Sequence, residues 1–234
     1  MTKASTNKSQ VRTSGTQMFM LASVRCVPLH WRSVADEIAN SFSDLSGDKA
    51  CPALDGIWCS QIGKPRDELK LIATWPGVED HACEVSELIS RVSDVTDFST
   101  ILMKPTLRPA HPDAPQRQGN YAFRWFETPS SHWEEFLDLC ERSWPGFESA
   151  YDSQVIGLWR VQEQEASAQD PIRSLLLTRR PNLATWERSK IPQGAEEIKV
   201  RHALSRRYDL CTETVVFTTT LLTALDDTDN VRWT

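Results

Sequence analysis

The chain carries one series of landmarks twice, in the same order, and this restricts its fold more than any single motif does. Leu29-His30-Trp31 matches Ser131-His132-Trp133 at an offset of 102, and Gly56-Ile57-Trp58 matches Gly157-Leu158-Trp159 at an offset of 101. The run 71–76 matches 176–181 more loosely at 105, and 100–107 resembles 214–221 at 114. The drift in offset means insertions near the end of the second copy. A period of this kind means one supersecondary unit used twice.

Hydrophobic spacing gives both copies the same order of elements. In the first, a strand over 17–27 precedes a helical stripe of Trp31, Val34, Ala35, Ile38, Phe42 and Leu45. Spacing of three and four is one helix face. Strands at 54–63 and 68–75 follow, joined by Gly63-Lys64-Pro65-Arg66-Asp67, whose Gly and Pro suit a hairpin connection. A second stripe (Val78, Ala82, Val85, Ile89, Val92) and a strand at 97–107 complete the copy.

The second copy opens with a strand over 120–126. A Ser131-x-x-Glu134 capping box predicts the next helix start. That helix carries Trp133, Phe136, Leu137, Cys140 and Trp144, and Pro145-Gly146 should kink or end it. Strands at 153–163 and 172–180 flank the polar stretch 163–170. A helical region from Leu183 breaks at Pro192 and Gly194 and resumes over 196–208, and a strand at 212–222 closes the copy.

This β-α-β-β-α-β order is the ferredoxin-like motif. The predicted class is therefore α+β, with two ferredoxin-like repeats in one chain. The strands are apolar on both faces: Tyr121, Phe123 and Trp125 on one, Ala122 and Phe126 on the other. An uncovered apolar face invites aggregation, so the two sheets are expected to close into a barrel with helices outside. The expected divisions are a disordered tail at 1–16, a divergent first repeat at 17–107, a linker at 108–118, the second repeat at 119–225 and an acidic tail at 226–234.

Composition removes several function classes. Lys+Arg 26 against Asp+Glu 32 gives a net charge of −6, without the basic footprint of a general nucleic-acid binder. No apolar run approaches the roughly 18–20 residues of a membrane span. None of the six cysteines forms a CxxC pair, which argues against zinc ribbons and thioredoxin-type sites and fits a reducing cytoplasm. Neither HxH nor HExxH spacing occurs, so no metal site is expected, and GxGxxG, Walker and GxSxG motifs are absent.

The second copy resembles the NIPSNAP-like proteins. The likeness rests on Gly119-Asn120-Tyr121-Ala122-Phe123-Arg124-Trp125-Phe126-Glu127, on Trp144-Pro145-Gly146-Phe147-Glu148, on Gly157-Leu158-Trp159-Arg160, and on the run 175–189. It covers roughly 119–222, and the first copy lacks arginines matching Arg124 and Arg160. The resemblance implies the dimeric α/β-barrel superfamily. That superfamily also holds cofactor-independent mono-oxygenases, haem-handling enzymes, aldoxime dehydratases and small isomerases, and fold alone does not choose among them.

Arginine within apolar strands is the strongest chemical lead. An Arg there must be paired or face a cavity, because an unpaired buried charge is costly. Arg124 and Arg160 are expected to hold an anionic or aromatic ligand in a pocket inside the barrel, through guanidinium contacts to a carboxylate, phenolate or enolate. Trp125 and Trp186 are its expected walls. The alternative for Arg124 is a salt bridge with Glu127 or Glu148. Residues 172–207 hold nine Lys/Arg and three Glu. They read either as an anion-steering region or as a solvated helix face.

The function expected is a small-molecule binding protein or a cofactor-independent enzyme of oxygenase, dehydratase or isomerase class. A non-catalytic scaffold using the basic 172–207 region is the alternative, and haem binding through His81 a minor one. The expected partner is a small-molecule ligand. A tandem barrel closes alone, so both monomer and homodimer are open.

Overall fold

The computed structural model describes residues 17–45, 51–77, 81–109, 114–162 and 171–225. The expected tails, the polar stretch 163–170, Val78 and His111 lie outside the described residues. The first repeat comprises β1 (Gln17–Cys26), α1 (Trp31–Leu45), β2 (Ala53–Ile62), β3 (Glu68–Pro76), α2 (Ala82–Arg91) and β4 (Val95–Arg108). The second comprises β5 (Asn120–Thr128), α3 (Trp133–Tyr151), β6 (Gln154–Val161), β7 (Ile172–Arg180), α4 (Leu183–Arg188), α5 (Ala195–Asp209) and β8 (Glu213–Leu221).

The eight strands form one closed barrel in the order β1-β3-β2-β8-β5-β7-β6-β4. Each repeat supplies a four-stranded antiparallel sheet. The two sheets join edge to edge through β2–β8 and β4–β6, so neither is left with an unpaired edge strand.

Strand alternation assigns the two faces. Tyr121 and Phe123 of β5 point into the barrel, among Phe19, Trp58, Trp159 and Phe217. Phe126 faces the other way, onto Phe136 of α3, with ring centroids 5.1 Å apart. The repeated Gly-x-Trp landmark has a packing origin. A Cβ on Gly56 would come within 2.8 Å of the Trp58 indole, and one on Gly157 within 2.4 Å of the Trp159 indole. Each indole therefore lies over the glycine two residues before it and fills the barrel from β2 or β6.

The helices cover the outer face. Met20, Ala22 and Val24 of β1 pack against Val34 and Ile38 of α1 and Val85 and Ile89 of α2, an apolar layer. The equivalent layer of the second repeat, under α3 and α5, contains charge.

Two local expectations are corrected. Ser131 and Glu134 do not cap α3: a 3-10 turn, Ser130–His132, leads into the helix, and its N-cap His132 makes no side-chain capping bond. Nor do Pro145 and Gly146 end it, since α3 runs on to Tyr151 and stops where Asp152 turns left-handed at φ 43°. Packing overrides the local preference. Trp144 and Phe147 on either side of the pair are both buried in the second-repeat core. Gly146 lets α5 approach closely, because a Cβ there would meet Val200 Cγ2 at 2.6 Å.

Candidate functional site

Between the outer face of the second sheet and the helices α3 and α5 lies a recess of about 600 Å³, counted out into the solvent at its open mouth. β5 contributes Arg124, and β7 contributes Leu176, Thr178 and Arg180 to its floor. Trp144, Phe147 and Tyr151 of α3 form one wall, and Val200, Arg201, Leu204, Arg207 and Tyr208 of α5 form another. Ser189 and Lys190, in the connection from α4 to α5, complete the rim.

Specific contacts hold that rim in place. Asn182 caps α4 by accepting the Thr185 N–H at 2.9 Å. Glu197 accepts from both terminal nitrogens of Arg188, at 2.9 and 2.7 Å, and from the Gln193 N–H at 2.7 Å. Arg188 also donates to the Ile191 carbonyl at 2.7 Å. The α4–α5 connection is thereby stapled across the recess with Lys190 on its inner edge.

The lining holds five cations and no carboxylate. Arg180 is only 8% exposed and Arg207 only 3%. Among the described residues, neither these two nor Arg124 makes an ion pair. Arg180 donates to Thr178 Oγ1 at 3.1 Å, and its guanidinium stacks over Phe147 and Trp186 at 5.1 and 5.0 Å. Arg207 reaches Cys140 Sγ at 3.5 Å and lies over the Phe126 ring at 4.8 Å. Arg124 sits 5.3 Å over the ring of Tyr208. Three buried donors of lining residues have no partner among the described residues: Arg180 Nε, Arg207 Nε and Trp144 Nε1.

The electrostatics follow from burial and crowding. Burial, with Arg124 alongside, lowers the Arg180 guanidinium to about 10. Arg124 and Lys190 are also pulled below their ordinary values, first by burial and then by neighbouring cations. Burial by itself would raise the Tyr208 phenol, but Arg124, Arg207 and Lys190 outweigh it and bring the phenol below its ordinary value.

The residues expected from sequence divide. Arg124 lines the recess. Glu148, its expected ion-pair partner, is instead held by Arg108 at 2.7 and 3.2 Å. Trp186 adjoins the recess through its stack with Arg180. Trp125 projects from the opposite face of β5, against the barrel cluster, under the Arg173 guanidinium at 4.6 Å. Arg160 is exposed on β6, opposite Lys104 of β4.

The cavity expected inside the barrel is corrected as well. The interior is filled by large side chains such as Trp58, Trp159, Phe123 and Phe217. A small space remains where Trp58, Ile72, Trp159 and Leu177 meet Pro109 and Pro115. The recess lined by Arg124 and Arg180 lies outside the barrel. Sequence reasoning missed Arg180, Lys190, Arg201, Arg207 and Tyr208 as individuals, although the basic run 172–207 contained the first four.

No histidine lines the recess. His81, the residue considered for haem, sits at the start of α2 in the first repeat with Nδ1 2.8 Å from Glu84. Among the described residues, no group of His, Cys, Asp and Glu could hold a metal ion, and no helix is long and apolar enough to cross a membrane.

Fold and recess together define a tandem ferredoxin-like protein of the dimeric α/β-barrel type, with a cationic site beneath the helices of its second repeat. Solved structures share this fold at low sequence identity. A candidate monooxygenase of Lactobacillus acidophilus has a TM-score of 0.57 at 9% identity, over 88% of this chain and 93% of that one. An anthrone oxidase-like protein gives 0.56 at 10%, over 88% and 91%. A variant of the chlorite dismutase of Candidatus Nitrospira defluvii gives 0.57 at 8%, over 88% and 90%. No family model and no curated protein sequence matches the chain.

Proposed function

We propose that the protein binds a small organic anion in the second-repeat recess. The observation that carries this reading is the burial of Arg180 and Arg207 beside Arg124 without a carboxylate among them. Taking an ion out of water costs several kcal/mol unless it is paired, and a ligand carboxylate or enolate would supply the missing charge through forked guanidinium contacts. Trp144, Phe147, Val200 and Leu204 give that ligand an apolar wall. Three of the runs that resemble NIPSNAP-like proteins contribute Arg124, Trp144, Phe147, Leu176, Thr178, Arg180 and Ser189 to this one recess.

The basic region is less suited to docking a partner. Arg188, Lys199 and Arg206 are neutralised by Glu197, Glu196 and Glu135, and Arg180, Lys190, Arg201 and Arg207 turn to the recess.

Benzoate tests the reading. An anion that binds only the folded state raises stability by mass action, about 2.7 kcal/mol at a hundred times its Kd. Saturating benzoate should raise the melting temperature of the wild-type protein by several degrees and leave Arg124→Met unmoved. Equal shifts in both would place the bound anion elsewhere.

A further inference from the structure

We propose that Tyr208 is the acid–base group of the recess, and that its substrate class is a carboxylic acid bearing an enolisable carbon, which it tautomerises. This rests on the anion-site reading above and adds a reaction to it.

The argument starts from what the recess lacks. Neither a histidine nor a carboxylate lines it, so apart from its cations the ionisable groups are Tyr151 and Tyr208. The Tyr151 hydroxyl donates to Glu197 at 3.3 Å, and burial together with that carboxylate raises its phenol. Tyr151 is therefore a donor fixed to the rim. Tyr208 has the opposite surroundings. Arg124 from β5 stands 5.3 Å over its ring and Arg207 of its own helix 5.4 Å. Arg180 of β7, Lys190 of the α4–α5 connection and Arg201 of α5 share the lining. Every charged group facing Tyr208 across the recess is a cation, and such surroundings favour the phenolate.

A phenolate among guanidiniums can serve as a general base. It removes a proton from carbon beside a carbonyl, and the cations hold the charge that develops on oxygen. In the step, the ligand's C–H bond breaks, an O–H bond forms on Tyr208, and the electron pair moves to the carbonyl oxygen as an enolate. Tyr208 then returns the proton to that oxygen, which gives the enol and restores the phenolate. The cycle needs neither oxidant nor second substrate. Arg124 and Arg180 hold the carboxylate, and the apolar wall of Trp144, Phe147, Val200 and Leu204 takes the substituent on the reacting carbon. An aryl-substituted 2-oxo acid combines these features.

Phenylpyruvate is the probe. Its benzylic protons exchange with deuterium in D2O buffer, a change read directly by proton NMR, while tryptophan quenching reports binding. The wild-type protein should accelerate exchange about a hundredfold over buffer, the scale of a positioned general base. The rate should rise with pH as Tyr208 ionises. Tyr208→Phe should still bind phenylpyruvate and lose the acceleration. Wild type that binds phenylpyruvate and exchanges it no faster than buffer overturns the proposal while the anion site stands. Exchange by Tyr208→Phe at the wild-type rate removes Tyr208 from the role. Binding of neither phenylpyruvate nor benzoate overturns both readings.

Discussion

Arg180→Met should make the protein more stable and much worse at binding anions. Methionine gives up the guanidinium stack over Phe147 and Trp186 and puts a polarizable thioether between the rings in its place. It removes a buried positive charge that faces Arg124 and has an Nε without a partner. Replacing buried charge by apolar volume commonly stabilises, here by about 1–3 kcal/mol. The same change deletes the most buried cation on the sheet floor of the recess, and benzoate affinity should fall about a hundredfold, near 2.7 kcal/mol. Urea melts and calorimetric titration read the two effects separately. Opposite signs mark a residue kept for its ligand. A loss of stability would instead make Arg180 part of the packing.

Trp159→Ala should bring the largest loss of stability in the chain. Trp159 is 1% exposed and meets Phe19 at 5.6 Å between ring centroids, at the centre of the barrel. Truncating a buried aromatic costs about 3–5 kcal/mol, against a typical whole-domain stability of about 5–15 kcal/mol. A urea midpoint for Trp159→Ala far below wild type is expected. Trp159→Phe should cost much less, because it keeps a ring and removes an indole N–H that has no partner among the described residues. A near-wild-type midpoint for Trp159→Ala would mean that the barrel is not the shared core of the two repeats.

The barrel was legible in the sequence because its causes are local and repeated. The helical stripe from Trp31 to Phe42 is the buried face of α1. The Gly-x-Trp pair recurs because each indole must lie over a glycine. The two apolar faces of β5 required cover on both sides, and closure of the ring supplies it. The site was only half legible. An Arg at position 124 among large apolar residues announced that a charge was buried, but which face of β5 it occupied depended on register with Leu176 and Val216. Strand period alone gives two faces and names neither as the interior.

The basic run 172–207 was open to two readings, an anion-steering region or a solvated helix face, because a run of charge does not say which way it turns. A finer signal lay in α5. Val200, Leu204, Arg207 and Tyr208 follow the spacing of one helix face, and that face turns inward. An arginine on the buried stripe of a helix is the helical counterpart of an arginine inside a strand. Arg180 offered less, since it ends β7 and a charged residue at a strand end is ordinary. Its burial comes from α4, which folds Trp186 back over it.

Native mass spectrometry of the freshly purified protein tests the central claim most directly. Wild type should carry a small acidic molecule that is released on activation, and Arg124→Met, prepared in parallel, should give the bare chain mass. A bare mass for wild type that persists when benzoate is added, or an adduct of equal occupancy in Arg124→Met, would contradict an anion site in the second-repeat recess.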